Sequence, residues 1–176
     1  MIIQIYERLT SLGFDDFGTL YIGYMGIPEY GCLTNTDVVN YVSEFLEKDQ
    51  SLDIKINDVL VELLLIESQT PRNEVTILLE KIVQILEINL SKSVRKWLLV
   101  CLSFFLANLN SDPVYGLLEL SNFWIEWGQP DDSPHCIQGV SNEISAVNYY
   151  TTENYELIIQ KNWNWLNQEI DKYKGT

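Results

Sequence analysis

From Trp97 to Leu106 the chain has no polar face: Trp97, Leu98, Leu99, Val100, Cys101, Leu102, Phe104, Phe105 and Leu106 are interrupted only by Ser103. A helix that is apolar all round is stable in water only when neighbouring elements cover it on every side. The run is far shorter than the roughly 20 residues needed to cross a bilayer core. It therefore predicts the buried centre of a helical bundle, and the rest of the chain has to supply the cover.

The rest has the right spacing. Apolar residues recur three and four apart, the period of an amphipathic helix. Ile2, Ile5, Tyr6 and Leu9 form one such face, ending at Gly13. A second helix is predicted to start at Asn35 to Asp37, whose side chains suit capping, with Val38, Tyr41, Val42, Phe45 and Leu46 inward. A third is capped by Asn57 and carries Val59, Leu60, Leu63, Leu64 and Ile66. Pro71 suits the first turn of a fourth, with Val75, Leu78, Leu79, Ile82, Ile85 and Leu86 in register. Ser91 opens the helix that contains the apolar run. Asp112-Pro113 opens another, which Gly128 and Pro130 end near Trp127. A last helix runs from about Thr152 toward Lys174, with Tyr155, Ile159, Trp163, Leu166, Ile170 and Tyr173 inward.

Two stretches break the pattern. Residues 14–34 hold Gly18, Gly23, Gly26, Pro28 and Gly31 among aromatics, which predicts a loop or a short β-hairpin near residues 17–33. Residues 129–150 read as a short strand or an irregular excursion. At 176 residues, with 47% hydrophobic side chains and no repeat or linker, the expected fold is all-α or mostly α. It is a single-domain antiparallel helical bundle over residues 1–176, of about six to seven helices.

Chemistry is scarce. Cys32, Cys101 and Cys136 are odd in number and far apart, giving neither a disulfide framework nor zinc-ligand spacing. The amino terminus lacks a basic region ahead of an apolar one, so a reduced cytoplasmic protein is expected. The one histidine, His135, sits in Asp131-Asp132-Ser133-Pro134-His135-Cys136, which reads as a proline-bounded loop more readily than as a metal or nucleophile site. Gly23-Tyr24-Met25-Gly26 lacks the third glycine of a dinucleotide fingerprint and the lysine of a P-loop. Most carboxylates fall on the polar faces of helices. No residue is assigned as catalytic, no metal or cofactor is expected, and the chain is read as a non-enzyme.

Charge is the informative property. Eleven Lys and Arg stand against 25 Asp and Glu, a formal charge of -14. Nucleic acid and anionic membranes both demand basic surface, so neither is an expected partner. The bases are also unevenly placed. Between Lys96 and Lys161 there are none, while Asp112, Glu119, Glu126, Asp131, Asp132, Glu143, Glu153 and Glu156 fall in that interval. From Arg8 to Lys48 there are again none, against Asp15, Asp16, Glu29, Asp37, Glu44 and Glu47. Aromatics such as Trp124 and Trp127 lie among the acids of the longer interval. Acidic surface steers a basic protein into encounter, and buried aromatics then slow its departure. The expected partner-binding residues are Glu119, Glu126, Asp131, Asp132, Trp124, Trp127, Glu143, Glu153 and Glu156.

Two passages carry a family resemblance. The first is Leu117-Leu118-Glu119-Leu120-Ser121-Asn122-Phe123-Trp124-Ile125-Glu126-Trp127-Gly128-Gln129-Pro130-Asp131-Asp132, and the second is Tyr155-Glu156-Leu157-Ile158-Ile159-Gln160-Lys161-Asn162-Trp163-Asn164-Trp165-Leu166. They resemble a bacterial family of small, mostly helical uncharacterised proteins, some of whose relatives are read as immunity proteins of polymorphic toxin systems, including contact-dependent growth inhibition. The turn here places Gln129 before Pro130, where the family pattern carries an aromatic or aliphatic residue. The resemblance implies a cytoplasmic antitoxin that neutralises one cognate toxin, often a basic nuclease domain, and it transfers no catalytic residue. The alternative is a non-catalytic helical adaptor or regulatory subunit binding another basic protein. A third reading, an enzyme acting on a cationic or neutral small molecule, requires a deep pocket.

Overall fold

The computed structural model describes residues 1–48, 54–140 and 143–174. Among the described residues the chain is all-α, with nine helices and no strand. They are α1 (Ile2–Ser11), α2 (Phe17–Met25), α3 (Asn35–Lys48), α4 (Ile54–Leu64), α5 (Arg72–Ile85), α6 (Leu90–Ala107), α7 (Pro113–Glu126), α8 (Ala146–Tyr149) and α9 (Thr152–Lys174). Contacts gather them into two compact units, Met1–Trp97 and Leu98–Thr176, divided within α6. The apolar run behaves as its composition demands: every residue from Trp97 to Leu102 is buried.

In the first unit α5 packs against α2 and α4, and α3 packs against α4. The loop or hairpin expected near residues 17–33 is instead the helix α2, followed by a tight turn with one isolated bridge, Ile27 to Gly31. Two physical causes make it a helix. Asp16 and Thr19 form a reciprocal capping box, with the Thr19 N–H donating to Asp16 Oδ1 at 2.7 Å and the Asp16 N–H donating to Thr19 Oγ1 at 2.9 Å. The glycines supply closeness: a Cβ on Gly23 would stand 2.5 Å from Trp97 Cζ2, and one on Gly18 would collide with Ser93 Oγ. Trp97 then fits over α2, its indole N–H donating to Thr19 O at 2.8 Å and its ring stacked on Tyr6 at 5.9 Å.

Other starts shift slightly. Thr34 caps α3 in partnership with Asp37, which accepts from the Thr34 N–H at 2.7 Å. Asn35 is buried instead, accepting from Tyr24 Oη at 2.7 Å and donating to Glu67 O and Thr70 O, both at 2.9 Å. Helix α4 begins at Ile54, so Asn57 lies inside it and is not its cap. On α5 the buried stripe is Val75, Leu79, Ile82 and Val83. Ile85 and Leu86 are exposed because the helix ends there and Glu87, at φ 50°, turns the chain away.

The second unit is built around α7 and α9. Asp112 caps α7 as expected, its Oδ1 accepting from Val114 N–H at 2.9 Å and Tyr115 N–H at 3.1 Å. Gly128, at φ 73°, ends it, with the Gln129 N–H reaching back to Trp124 O at 2.8 Å. Tyr155 packs where a Cβ on Gly116 would lie 2.7 Å from its ring, and further along Trp124 meets Asn162 and Trp165. These pairings advance together along both helices, so α7 and α9 run in the same direction. The antiparallel arrangement does not hold for this pair, because the long 127–151 connection returns the chain to the end where α7 began.

On α9 the buried residues are Ile158, Asn162, Leu166 and Glu169. Of the expected inward set, only Leu166 is fully buried, and Tyr155, Ile159, Trp163, Ile170 and Tyr173 are half-buried. The stripe is rotated because two polar residues hold its centre with partners. Asn162 accepts from Trp124 Nε1 at 2.9 Å and donates to Ile158 O at 2.8 Å, while Glu169 pairs with Lys172. The described residues of 129–140 and 143–150 are irregular apart from the one-turn helix α8.

Candidate functional site

The second unit holds all the sequence-predicted contact residues. Burying Gly116, Leu117, Leu120, Phe123 and Trp124 turns the opposite side of α7 outward. That outward stripe is Tyr115, Leu118, Glu119, Asn122, Ile125 and Glu126, spaced three and four apart along one face. Glu119 and Glu126 stand two turns apart along one edge, about 10 Å by helical rise. Leu118 and Ile125 form the other edge, and Tyr115 is 62% and Ile125 56% exposed. A solvated helix face normally carries polar side chains in those places.

The other acids flank this stripe. Glu153 and Glu156 are exposed in the first turns of α9. That end of α9 lies beside the start of α7, where the Tyr155 hydroxyl donates to Asn110 O at 2.9 Å. Burial, and then the charge of Glu119, push the Tyr155 phenol above its ordinary value. Asp131 and Asp132 are exposed beyond Gly128, past the other end of α7. Glu143 is exposed in the loop ahead of α8, as are Val140 and Ile144, and Val147 is exposed within α8. Only Lys161, Lys172 and Lys174 supply positive charge to Leu98–Thr176, against ten acids.

The two tryptophans divide. Trp124 is wholly buried, its N–H committed to Asn162 and its ring edge-on to Trp165 at 5.3 Å. It is core, and the expectation that it grips a partner is corrected. Trp127 is half-buried, tilted against Phe123 at 6.1 Å. Exposed apolar side chains outside the expected contact set, Tyr115, Leu118 and Ile125, stand on the outward face of α7 instead.

His135 is buried. Its Nε2 lies 2.9 Å from Ser121 Oγ, whose hydroxyl donates to Leu117 O at 2.7 Å, so Nε2 carries the ring proton. Its Nδ1 is buried with no hydrogen-bond partner among the described residues. Burial lowers the imidazole pKa to about 4, leaving a neutral ring in the fold. Ser121 points its proton at a backbone carbonyl, and no carboxylate orients Nδ1, so this contact lacks the relay of a nucleophilic dyad. Cys32 and Cys136 are exposed and Cys101 is buried, and none of the three is in a disulfide. Among the described residues no group of three or more His, Cys, Asp or Glu could hold a metal ion, and no helix is long and apolar enough to cross a membrane.

The first unit holds a feature that sequence reading did not assemble. Two adjoining grooves, of about 390 and 340 Å³, share Asp15, Tyr41 and Glu44 in their walls. The larger adds Asp16, Phe17, Phe45, Lys48, Leu86 and Ile88, and the smaller adds Tyr6, Glu7, Thr10, Asp37 and Asn40. The base-free interval from Arg8 to Lys48 was its one visible signal.

Among the described residues, helices throughout and an acid-edged apolar stripe along α7 define an all-α protein. The chain belongs to the DUF2247 family, described as an uncharacterised protein conserved in bacteria, which covers residues 12–170. No curated protein and no solved structure matches it.

Proposed function

We propose that this chain is an immunity protein that captures a cognate basic toxin domain of nuclease type in the bacterial cytoplasm, through the outward face of α7 and the acids that flank it. One observation carries the reading. Glu119 and Glu126 share their face with exposed Tyr115, Leu118 and Ile125, in a stretch where no Lys or Arg occurs between Lys96 and Lys161. Carboxylates on such a face accelerate encounter with a cationic surface, toward roughly 10⁸–10⁹ M⁻¹s⁻¹ at low salt. Apolar side chains held beside them lose water on contact and slow dissociation. Asp131 and Asp132 beyond one end of α7, and Glu153 and Glu156 beside the other, extend the negative field; Glu143 adds to it from the loop.

The test is capture and rescue. The product of the gene adjacent to this one, purified as a catalytically silenced toxin, is titrated against the chain, and cells expressing the active form are scored for survival. The reading expects nanomolar binding, an association rate that falls steeply with salt, and protection. A long-lived complex with a basic protein that harms no cell would instead establish the adaptor reading. Protection that survives reversal of Glu119 and Glu126 together, and of Asp131 and Asp132 together, would remove the proposed surface.

A further inference from the structure

The paired grooves of the first unit contain none of the residues of the proposed α7 surface. The smaller runs along α1 and α3, with Tyr6, Glu7 and Thr10 from α1, Asp37, Asn40, Tyr41 and Glu44 from α3, and Asp15 from the connection before α2. Four of its eight lining residues are carboxylates, and none is a Lys or Arg. Their commitments differ. Asp37 is engaged at the start of α3, accepting from the Thr34 N–H and hydroxyl, both at 2.7 Å. Asp16, in the adjoining groove, is held by Lys96 at 2.5 Å and by its capping role. Asp15 has no ion pair or hydrogen bond among the described residues. Glu44 meets only Lys48 there, at 3.8 Å with both side chains largely exposed, a pair of the kind worth about 0–1 kcal/mol and readily displaced.

The rest of the surroundings suit a planar cation. Tyr41 and Phe45 lie nearly parallel, 6.4 Å apart, with Phe17 edge-on to both. The Tyr6 hydroxyl is buried and has no hydrogen-bond partner among the described residues. Burial first, followed by Tyr41 and the nearby carboxylates for Tyr6 and by Asp15 and Asp16 for Tyr41, holds both phenols above their ordinary values, so both stay neutral beside a negative field. The chain also shows how such a group sits: Arg72 lies 3.9 Å over the Tyr24 ring while its N–H groups donate to the carbonyls of Leu33 and Tyr24.

We infer that this groove receives an arginine side chain from a basic partner protein. Its guanidinium lies against Tyr41 and pairs with Asp15 and Glu44, and its methylenes run toward Phe45 and Leu86. Arginine fits better than lysine because a planar fork can stack on a ring and pair with two carboxylates at once. The inference stands whether or not the α7 face captures a toxin.

The experiment is a ¹H–¹⁵N titration of the full chain with acetyl-arginine-methylamide, with the lysine and the neutral, isosteric citrulline analogues alongside. The expected result is saturable millimolar binding of the arginine compound, with shifts centred on Asp15, Tyr41 and Glu44 and none from citrulline. Asp15→Asn or Glu44→Gln weakens it by about fivefold. Both positions are solvent-accessible, so these variants fold. Reversal of Glu119 and Glu126 leaves the titration unchanged, which separates this site from the α7 face. An absence of saturable shifts, an equal response to citrulline or lysine, or indifference to both variants would overturn the inference.

Discussion

The two units carry the same excess charge in opposite ways. Met1–Trp97 has eight bases against fifteen acids and Leu98–Thr176 has three against ten, a formal -7 in each. In the first, carboxylates gather around an aromatic recess, and part of their charge is answered locally, Asp16 by Lys96 and Glu44 by Lys48. In the second, carboxylates stand along an outward helix face beside exposed apolar side chains, while the buried positions go to partnered polar groups such as Asn162. Net charge alone does not distinguish the two arrangements. What the charge can do depends on whether the backbone folds it inward around a ring or presents it on a helix.

The largest effect expected concerns how the second unit holds that face outward. Asn162→Ala leaves the Trp124 N–H buried without a partner and should cost about 3 kcal/mol of unfolding free energy in denaturant titration. A loss under about 0.5 kcal/mol would show that the α7–α9 seam does not depend on this bond. Acid should weaken the same unit by a similar amount. His135 has a folded pKa of about 4, below its unfolded 6.5. The unfolded chain therefore binds the extra proton first. The neutral ring's contribution is complete above pH 6.5 and is lost as pH falls toward 4, on the order of 3 kcal/mol. His135→Gln should flatten that part of the stability–pH curve, and an unchanged slope would contradict a buried neutral ring.

The first unit is sharpened by a different kind of change. Gly23→Ala puts a methyl 2.5 Å from Trp97 Cζ2 and should cost about 1–3 kcal/mol, seen as a lower Tm. A smaller gain is expected at Glu87, whose φ of 50° suits glycine: Glu87→Gly should stabilise by up to about 1 kcal/mol. A loss there would mean that the Glu87 side chain contributes more than its backbone strain costs.

Most of the helices were legible because their buried stripes follow one period and their ends carry ordinary signals, Gly13 after α1, Asp112-Pro113 before α7 and Gly128 after it. Helix α2 was hidden because glycine reads as punctuation in a sequence, whereas Gly18 and Gly23 serve contact with Ser93 and Trp97, more than 70 positions away. The α9 stripe was misplaced by one position because Asn162 and Glu169 look polar until their partners are known. At the candidate face, the spacing of Glu119 and Glu126 was readable, but Trp124 and Ile125 are neighbours in sequence on opposite sides of α7, and size alone favoured the tryptophan. Beyond the base-free interval from Arg8 to Lys48, the groove could not be read from pattern, since α1, the Asp15 connection and α3 meet only in the folded unit.

The central claim is that the outward face of α7 captures a basic protein by charge. It is tested most directly by the association rate of the adjacent gene's product with the wild-type chain and with the Glu119→Lys, Glu126→Lys double variant, at low and at physiological salt. The expected result is a wild-type rate that falls by about tenfold or more as salt rises, and a variant rate that starts lower and responds less. Equal rates for the two proteins at both salt concentrations would contradict it.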